Sequence, residues 1–169
     1  MKVDPSFDAF VRDGSAGLTR LAYLLTGDRG HAEDLVQTAL LRTARRWSRA
    51  RDAPTAYARQ ALVNLSRDRL RSLFRRPREA PLPPDADTLH ATGDGYREVT
   101  DRRVVVQALA GLPVRQRQVV VLRYFEDLPV DQVAALLGVS SGAVKTHTSR
   151  ALSRLRELLS DLEVSHEHR

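Results

Sequence analysis

The sequence predicts an all-α protein of two small helical domains, an N-terminal helical bundle and a C-terminal helix-turn-helix domain, joined by a flexible linker. Three observations carry this. Apolar residues recur at helical spacing through both ends of the chain. Composition breaks sharply over residues 74–98. Near the C-terminus, a glycine separates a short apolar helix from a long polar one. The predicted boundaries are 1–73, 74–98 and 99–169.

In the first segment Phe7, Phe10, Val11, Leu18, Leu21, Ala22 and Leu25 fall near helical spacing, with Gly27 as a stop and Gly14 and Gly17 as expected points of bending. A second stripe follows in Ala32, Leu35, Val36, Ala39, Leu40, Ala44 and Trp47, opposite a polar face of Glu33, Asp34, Gln37, Thr38, Arg42 and Arg45. A third helix is expected from about Pro54, a residue tolerated in a first turn, to about Leu73. Its apolar positions include Tyr57, Ala61, Leu62 and Leu65, and it ends in a basic cluster. Tyr57 and Trp47 are expected to be core residues.

Residues 77–98, "PREAPLPPDADTLHATGDGYRE", hold four prolines, two glycines and few large apolar side chains, a linker composition. As a random coil some 25 such residues span roughly 25–30 Å. The second lobe resumes with "DRRVVVQALAGL" and "PVRQRQVVVLRYF". Val104–Val106 and Val119–Val121 suit strands by propensity. They lack alternation, however, and sit in segments with helical spacing, so they are predicted as helix.

The closing segment, "LLGVSSGAVKTHTSRALSRLREL", ends a short helix at Gly138, suited to a left-handed cap, and restarts at Ser140 or Ser141, either able to cap the next helix. There Val144, Thr148, Ala151, Leu155 and Leu158 form one side; Lys145, Thr146, Ser149, Arg150 and Ser153 form the other, flanked by His147 and Arg154. A tight turn before a polar helix is the geometry of major-groove recognition. A plain helical hairpin with a solvated face is the alternative.

The chain of 169 residues has a net charge of +6, and nearly all its basic residues are arginine, which suits phosphate contact. Residues 1–72 carry +5, residues 73–98 carry −1 and residues 99–169 carry +2. There is no cysteine, which removes disulfides, thiolate zinc sites and thiol catalysis together. The five histidines are scattered, so no metal site, cofactor site or catalytic constellation is predicted, and the chain is not expected to be an enzyme. The N-terminal residues, with Asp4, Asp8 and Asp13 and no long apolar run, are not expected to form a signal peptide, and no segment is long and apolar enough for membrane insertion. A cytoplasmic location is expected.

With those segments in view, the chain resembles the extracytoplasmic-function class of RNA polymerase sigma factors, from Phe7 to Leu159. "HAEDLVQTALLRTARRW" is similar to that family's polymerase-binding helix, "AYARQALVNLSRDRLR" to the helix that reads the −10 promoter element, and "LPVDQVAALLGVSSGAVKTHTSRALSRLREL" to the helix-turn-helix that reads the −35 element. The resemblance implies that Asp34, Gln37, Leu41 and Arg45 meet core RNA polymerase. It places Gln60, Asn64 and Arg67 on the −10 element, with Arg49 and Arg51 in a loop, residues 48–54, that captures an unstacked base. At −35 it assigns base contact to Lys145, Thr146, Ser149 and Arg150, and phosphate contact to Ser141 and His147, with Arg154 alongside. Asp68 departs from a DNA-facing pattern and is expected to pair with an arginine of its own helix. His147 stands where arginine is usual, and Ala143 where threonine is common. Promoter DNA and core polymerase are the implied partners, and an anti-sigma protein is one the resemblance allows for.

Two other readings stand beside this one: a stand-alone helix-turn-helix regulator that binds a palindrome as a dimer, and a helical adaptor without DNA contact. In a promoter-binding titration Lys145→Ala and Arg150→Ala are each expected to lose about 1–3 kcal/mol of sequence-specific affinity; the adaptor reading predicts no change.

Overall fold

The computed structural model describes residues 4–75 and 94–167, with side chains described over 4–69 and 101–161. Most of the expected linker, residues 76–93, lies outside the described residues, as do His90 and His168. Eight helices and one π-helical turn are described: α1 (Pro5–Thr26), α2 (Arg29–Arg45), α3 (Trp47–Ala50), α4 (Pro54–Arg75), α5 (Asp94–Ala110), α6 (Val114–Val120), the π-turn (Val121–Phe125), α7 (Val130–Leu137) and α8 (Ser141–Glu167). No strand occurs among the described residues, and no described helix is long and apolar enough to cross a membrane. The valine runs are helical, as their spacing predicts.

Asp4 caps α1 by accepting from the Ser6 amide at 2.9 Å, with Pro5 in the first turn. Hydrogen bonds from Ser6 hold the Asp4 carboxyl below its ordinary pKa. The helix then runs unbroken through Gly14 and Gly17, where bending was expected, and ends at Gly27 with φ 73°. At Gly14 an added Cβ would lie 3.3 Å from the Phe10 ring, so the glycine makes room for that aromatic and the helix needs no kink. Asp28 caps α2 through the His31 amide at 2.7 Å. The turn α3, between α2 and α4, has no periodicity long enough to announce it in the sequence.

Helices α1, α2 and α4 pack on one another as a three-helix bundle, and α5, α6 and α7 gather around α8. These two lobes share one core. Leu21, Leu25, Leu62 and Val63 of the first join Leu109, Val119, Val121 and Leu122 of the second in a single apolar cluster. Across the boundary α1 packs against α5 and the π-turn, and α4 against α6. The two helical domains that the sequence predicts pack directly against one another.

The helix-turn-helix forms as its punctuation predicts. Gly138 adopts φ 65°, ψ 40°, and the Ser140 hydroxyl accepts from the Ala143 amide at 3.0 Å, capping α8. Val144 and Ala151 are fully buried on the side facing α6 and α7. Two features depart from expectation: α4 reaches Arg75, and α5 begins at Asp94, inside the predicted linker. His166 lies within α8.

Two glycines with opposite roles give a stability test. Gly17→Ala, within a helix and with open space at its Cβ, is expected to raise stability by about 0.5–1 kcal/mol. Gly138→Ala, at a left-handed φ, is expected to lower it by about 1–2 kcal/mol. Urea denaturation of both variants measures the contrast.

Candidate nucleic-acid interface

Three surfaces carry the predicted functional residues. On α2, Asp34, Gln37, Leu41 and Arg45 are all exposed, and Leu41 keeps 60% of its surface open, the most exposed large apolar side chain described. Its neighbours on the opposite face, Ala32, Leu35, Val36 and Ala39, are buried against α1 and α4. The helix therefore spends one face on the bundle and presents an apolar residue among polar ones on the other.

The second surface lies along α4 and the loop before it. Gln60 and Asn64, four residues apart, share a face and touch one another, the Gln60 amide donating to Asn64 Oδ1 at 3.3 Å. They line an open groove with Arg42, Arg45, Arg46 and Tyr57. Tyr57, expected in the core, is half-buried in this groove wall. Arg67 is half-buried, with Nε 3.5 Å from Asp68 Oδ1, so Asp68 pairs within its own helix as expected. Arg49 and Arg51 are exposed.

Beside that loop lies a cleft of about 560 Å³, open to solvent, lined by Phe10, Trp47, Arg51, Pro54 and Thr55 together with Ser6, Asp13 and Asp52. Trp47 was expected in the core. It packs edge-on to Phe7 at a centroid distance of 5.1 Å, lies 5.8 Å from Phe10, and donates Nε1–H to the Ser6 hydroxyl at 3.0 Å. One side of its ring system thus completes an aromatic cluster and another forms cleft wall. Sequence spacing alone did not bring Arg46 or the cleft residues Phe10 and Thr55 into the site; the run of arginines at 42, 45 and 46 was the available signal for the groove.

The third surface is the N-terminal half of α8. Lys145, Thr146, Ser149, Arg150 and Arg154 lie together on it, with Lys145, Thr146, Ser149, Arg150 and Arg154 all open to solvent. Ser141 donates to Asp131 of α7 at 2.7 Å, which ties its hydroxyl to the turn. His147 is half-buried, and its Nδ1 is enclosed without a hydrogen-bond partner, so it does not stand out from the helix as its neighbours do.

The α4 surface is not free. Gln60 also donates to the Leu136 carbonyl of α7 at 3.0 Å. Next to it Arg59 holds Glu126, through Nε at 3.0 Å and a second guanidinium nitrogen at 2.9 Å, in a largely buried pair. The C-terminal lobe therefore sits against one edge of the groove that contains Gln60 and Asn64.

Comparison with known proteins places these surfaces in a family. Residues 10–76 match the family described as Sigma-70 region 2, and residues 102–155 match Sigma-70, region 4. The RNA polymerase sigma-E factor of Streptomyces avermitilis is 39% identical over 157 residues, covering 90% of this chain and 84% of that protein. The ECF RNA polymerase sigma factor SigM of Mycobacterium tuberculosis is 33% identical over 156 residues, covering 91% and 77%. In fold, the chain is similar to the sigma factor RpoE of Bartonella quintana, solved with the anti-sigma factor NepR, at a TM-score of 0.66 and 23% identity over 91% of this chain and 96% of that one. It is also similar to CnrH, solved with the cytosolic domain of CnrY, at a TM-score of 0.64 and 24% identity over 92% and 88%.

Proposed function

We propose a division of labour among the three surfaces of this chain, which belongs to the sigma-70 family of RNA polymerase sigma factors, in its extracytoplasmic-function class. As a member, it binds core RNA polymerase and directs transcription initiation at promoters. The match to region 2 beside region 4, over 90% of the chain in the Streptomyces relative, disfavours a stand-alone helix-turn-helix regulator.

The outer face of α2 docks on core polymerase. Leu41 is the apolar anchor, and Asp34, Gln37 and Arg45 form its polar rim; an exposed leucine ringed by polar groups is how a small protein interface is commonly built. The N-terminal half of α8 enters the −35 major groove. Lys145 and Arg150 can reach guanine acceptors there, Thr146 and Ser149 are short enough to approach base edges, and Arg154 sits further along toward phosphate. Ser141 serves by fixing the turn through Asp131 and not by a free hydroxyl.

The α4 groove takes the opened −10 strand. Arg42 and Arg46 supply a cationic wall for phosphates, while Gln60 and Asn64 supply amides able to pair with a base edge. The cleft bounded by Phe10, Trp47 and Arg51 receives the extruded base: it joins aromatic wall to polar rim at the mouth of the loop, residues 48–54. Unstacking takes a few kcal/mol, which the cleft contacts must offset. Arg49 and Arg51 hold the displaced backbone, with Arg67 further along the helix. The chain performs no bond chemistry in this scheme; phosphodiester formation belongs to the polymerase. Its place of work is the cytoplasm, and an anti-sigma protein is part of the proposal, RpoE of similar fold having been solved with one.

The observation that carries this reading is the placing of an exposed leucine-centred face on α2, a half-buried polar groove along α4 and an exposed polar face on α8. Run-off transcription with purified core polymerase tests it: a promoter-specific product is expected only when this chain is added, and binding of a palindrome by the chain alone, with no run-off product, would replace it with the regulator reading. Asp34→Ala combined with Leu41→Ala is expected to weaken core association by about 1–3 kcal/mol, measured by competition for core.

A further inference from the structure

We propose that Ser6 and Asp4, at the start of α1, are positioning residues that fix the Trp47 ring as one wall of the cleft beside residues 48–54. Opening of the −10 strand then depends on them, although neither reads a base. This rests on the reading that the cleft receives an extruded base.

Three side chains of different hydrogen-bonding character meet here. An indole N–H only donates, an ionised carboxylate only accepts and a hydroxyl does both. Ser6 stands between the other two. Its hydroxyl donates to Asp4 Oδ1 at 2.6 Å and accepts from Trp47 Nε1–H at 3.0 Å. The direction of this link is forced: the one hydroxyl proton goes to the carboxylate, which leaves a lone pair for the indole. The bonds from Ser6 also hold the Asp4 carboxyl below its ordinary pKa, so it stays an acceptor at neutral pH.

Packing sets where the ring lies, and the link sets which way it faces. Trp47 meets Phe7 edge-on at 80° and Phe10 at a tilt of 34°. The torsion that turns an aromatic ring is broad and roughly two-fold, so aromatic contacts alone leave the indole two ways to lie. The bond to Ser6 selects one. Ser6, Phe10 and Trp47 all line the cleft, so the indole edge offered to a base follows from that choice. Arg51 lines the same cleft and attracts the Asp4 carboxylate as well. One carboxylate thus bears on both an aromatic wall and a cation of the cleft.

Asp4 and Ser6 precede residues 10–76, the segment that matches region 2, and Ser6 stands 41 residues from Trp47 in the chain. A role confined to starting α1 is separable from this one, because the capping bond comes from the Ser6 amide and not from its hydroxyl. Ser6→Ala keeps the cap and removes the link; Ser6→Thr keeps both. The two bonds of the link are exposed, where water competes for each partner. Its consequence is therefore orientation, with little change in global stability.

Trp47 is the only tryptophan of the chain, so its fluorescence reports the cleft wall directly. In free, full-length Ser6→Ala, Trp47 anisotropy is expected to fall and acrylamide quenching to rise, with the urea midpoint close to the parent's. With core polymerase, Ser6→Ala is expected to lose about fivefold of promoter-specific run-off product on a duplex template, the scale of one hydrogen bond. On the same promoter with its −10 element opened beforehand by mismatches, where unstacking is already done, the loss is expected to be about twofold or less. Ser6→Thr is expected to match the parent on both templates. Equal losses of Ser6→Ala on the two templates would overturn the proposal, as would unchanged Trp47 fluorescence. Trp47→Ala that transcribes the duplex promoter as well as the parent would instead bring down the reading of the cleft as the base site, whatever Ser6→Ala does to the ring.

Discussion

The arrangement of this molecule turns on one guanidinium. Arg117 lies between the C-terminal ends of α1 and α5, one helix from each lobe, and bonds the Leu25 carbonyl of the first and the Ala110 carbonyl of the second. Unsatisfied carbonyls at a helix end carry partial negative charge, so a single cation serves two termini that would otherwise face each other. Burial pushes its pKa down from the ordinary arginine value, but an arginine remains charged in a protein, and the charge must be met by those carbonyls. The two lobes also share one apolar cluster, to which Leu25 and Val63 contribute from one side and Leu109, Val119 and Leu122 from the other. Gly27 ends α1 at this boundary with a left-handed φ of 73°, and a Cβ at its position would stand in ordinary contact with Ala110.

Much of the fold was legible because its signals are local. Apolar spacing located the helices, Gly27 and Gly138 ended two of them, and Ser140 capped a third. The helix-turn-helix could be read almost residue by residue, for the same reason: a left-handed glycine, a capping serine and a two-sided helix are all written within some twenty positions. What could not be read was everything that depends on one lobe meeting the other. Arg117, Gln118 and Glu126 look like ordinary polar residues of a basic, helical segment, and nothing in their spacing indicates that two of them are almost fully buried. Gly14 misled in the same way. A glycine in a helix signals a break unless one knows that an aromatic ring, here Phe10, lies against it.

The site shows the same division. The face shared by Gln60 and Asn64 follows from a spacing of four, and the solvent-facing set on α8 follows from the apolar stripe opposite. Tyr57 and Trp47 were harder, because a half-buried aromatic has the same periodicity as a core one. Only the packing of Trp47 on Phe7 and Phe10, and of Tyr57 beside three arginines, gives those rings a side that faces a cleft. His147 went the other way: a position expected to meet phosphate is turned partly inward.

In the folded chain the two lobes are joined: α7 meets Gln60 and Glu126 meets Arg59 at one edge of the α4 groove, while the polar face of α8 stays open to solvent. Small-angle X-ray scattering of the free chain in solution measures this most directly. The account predicts a single compact particle with a radius of gyration near 15 Å, as expected for a folded body of this length. A value above about 20 Å, with the two-peaked distance distribution of separated lobes, would contradict it.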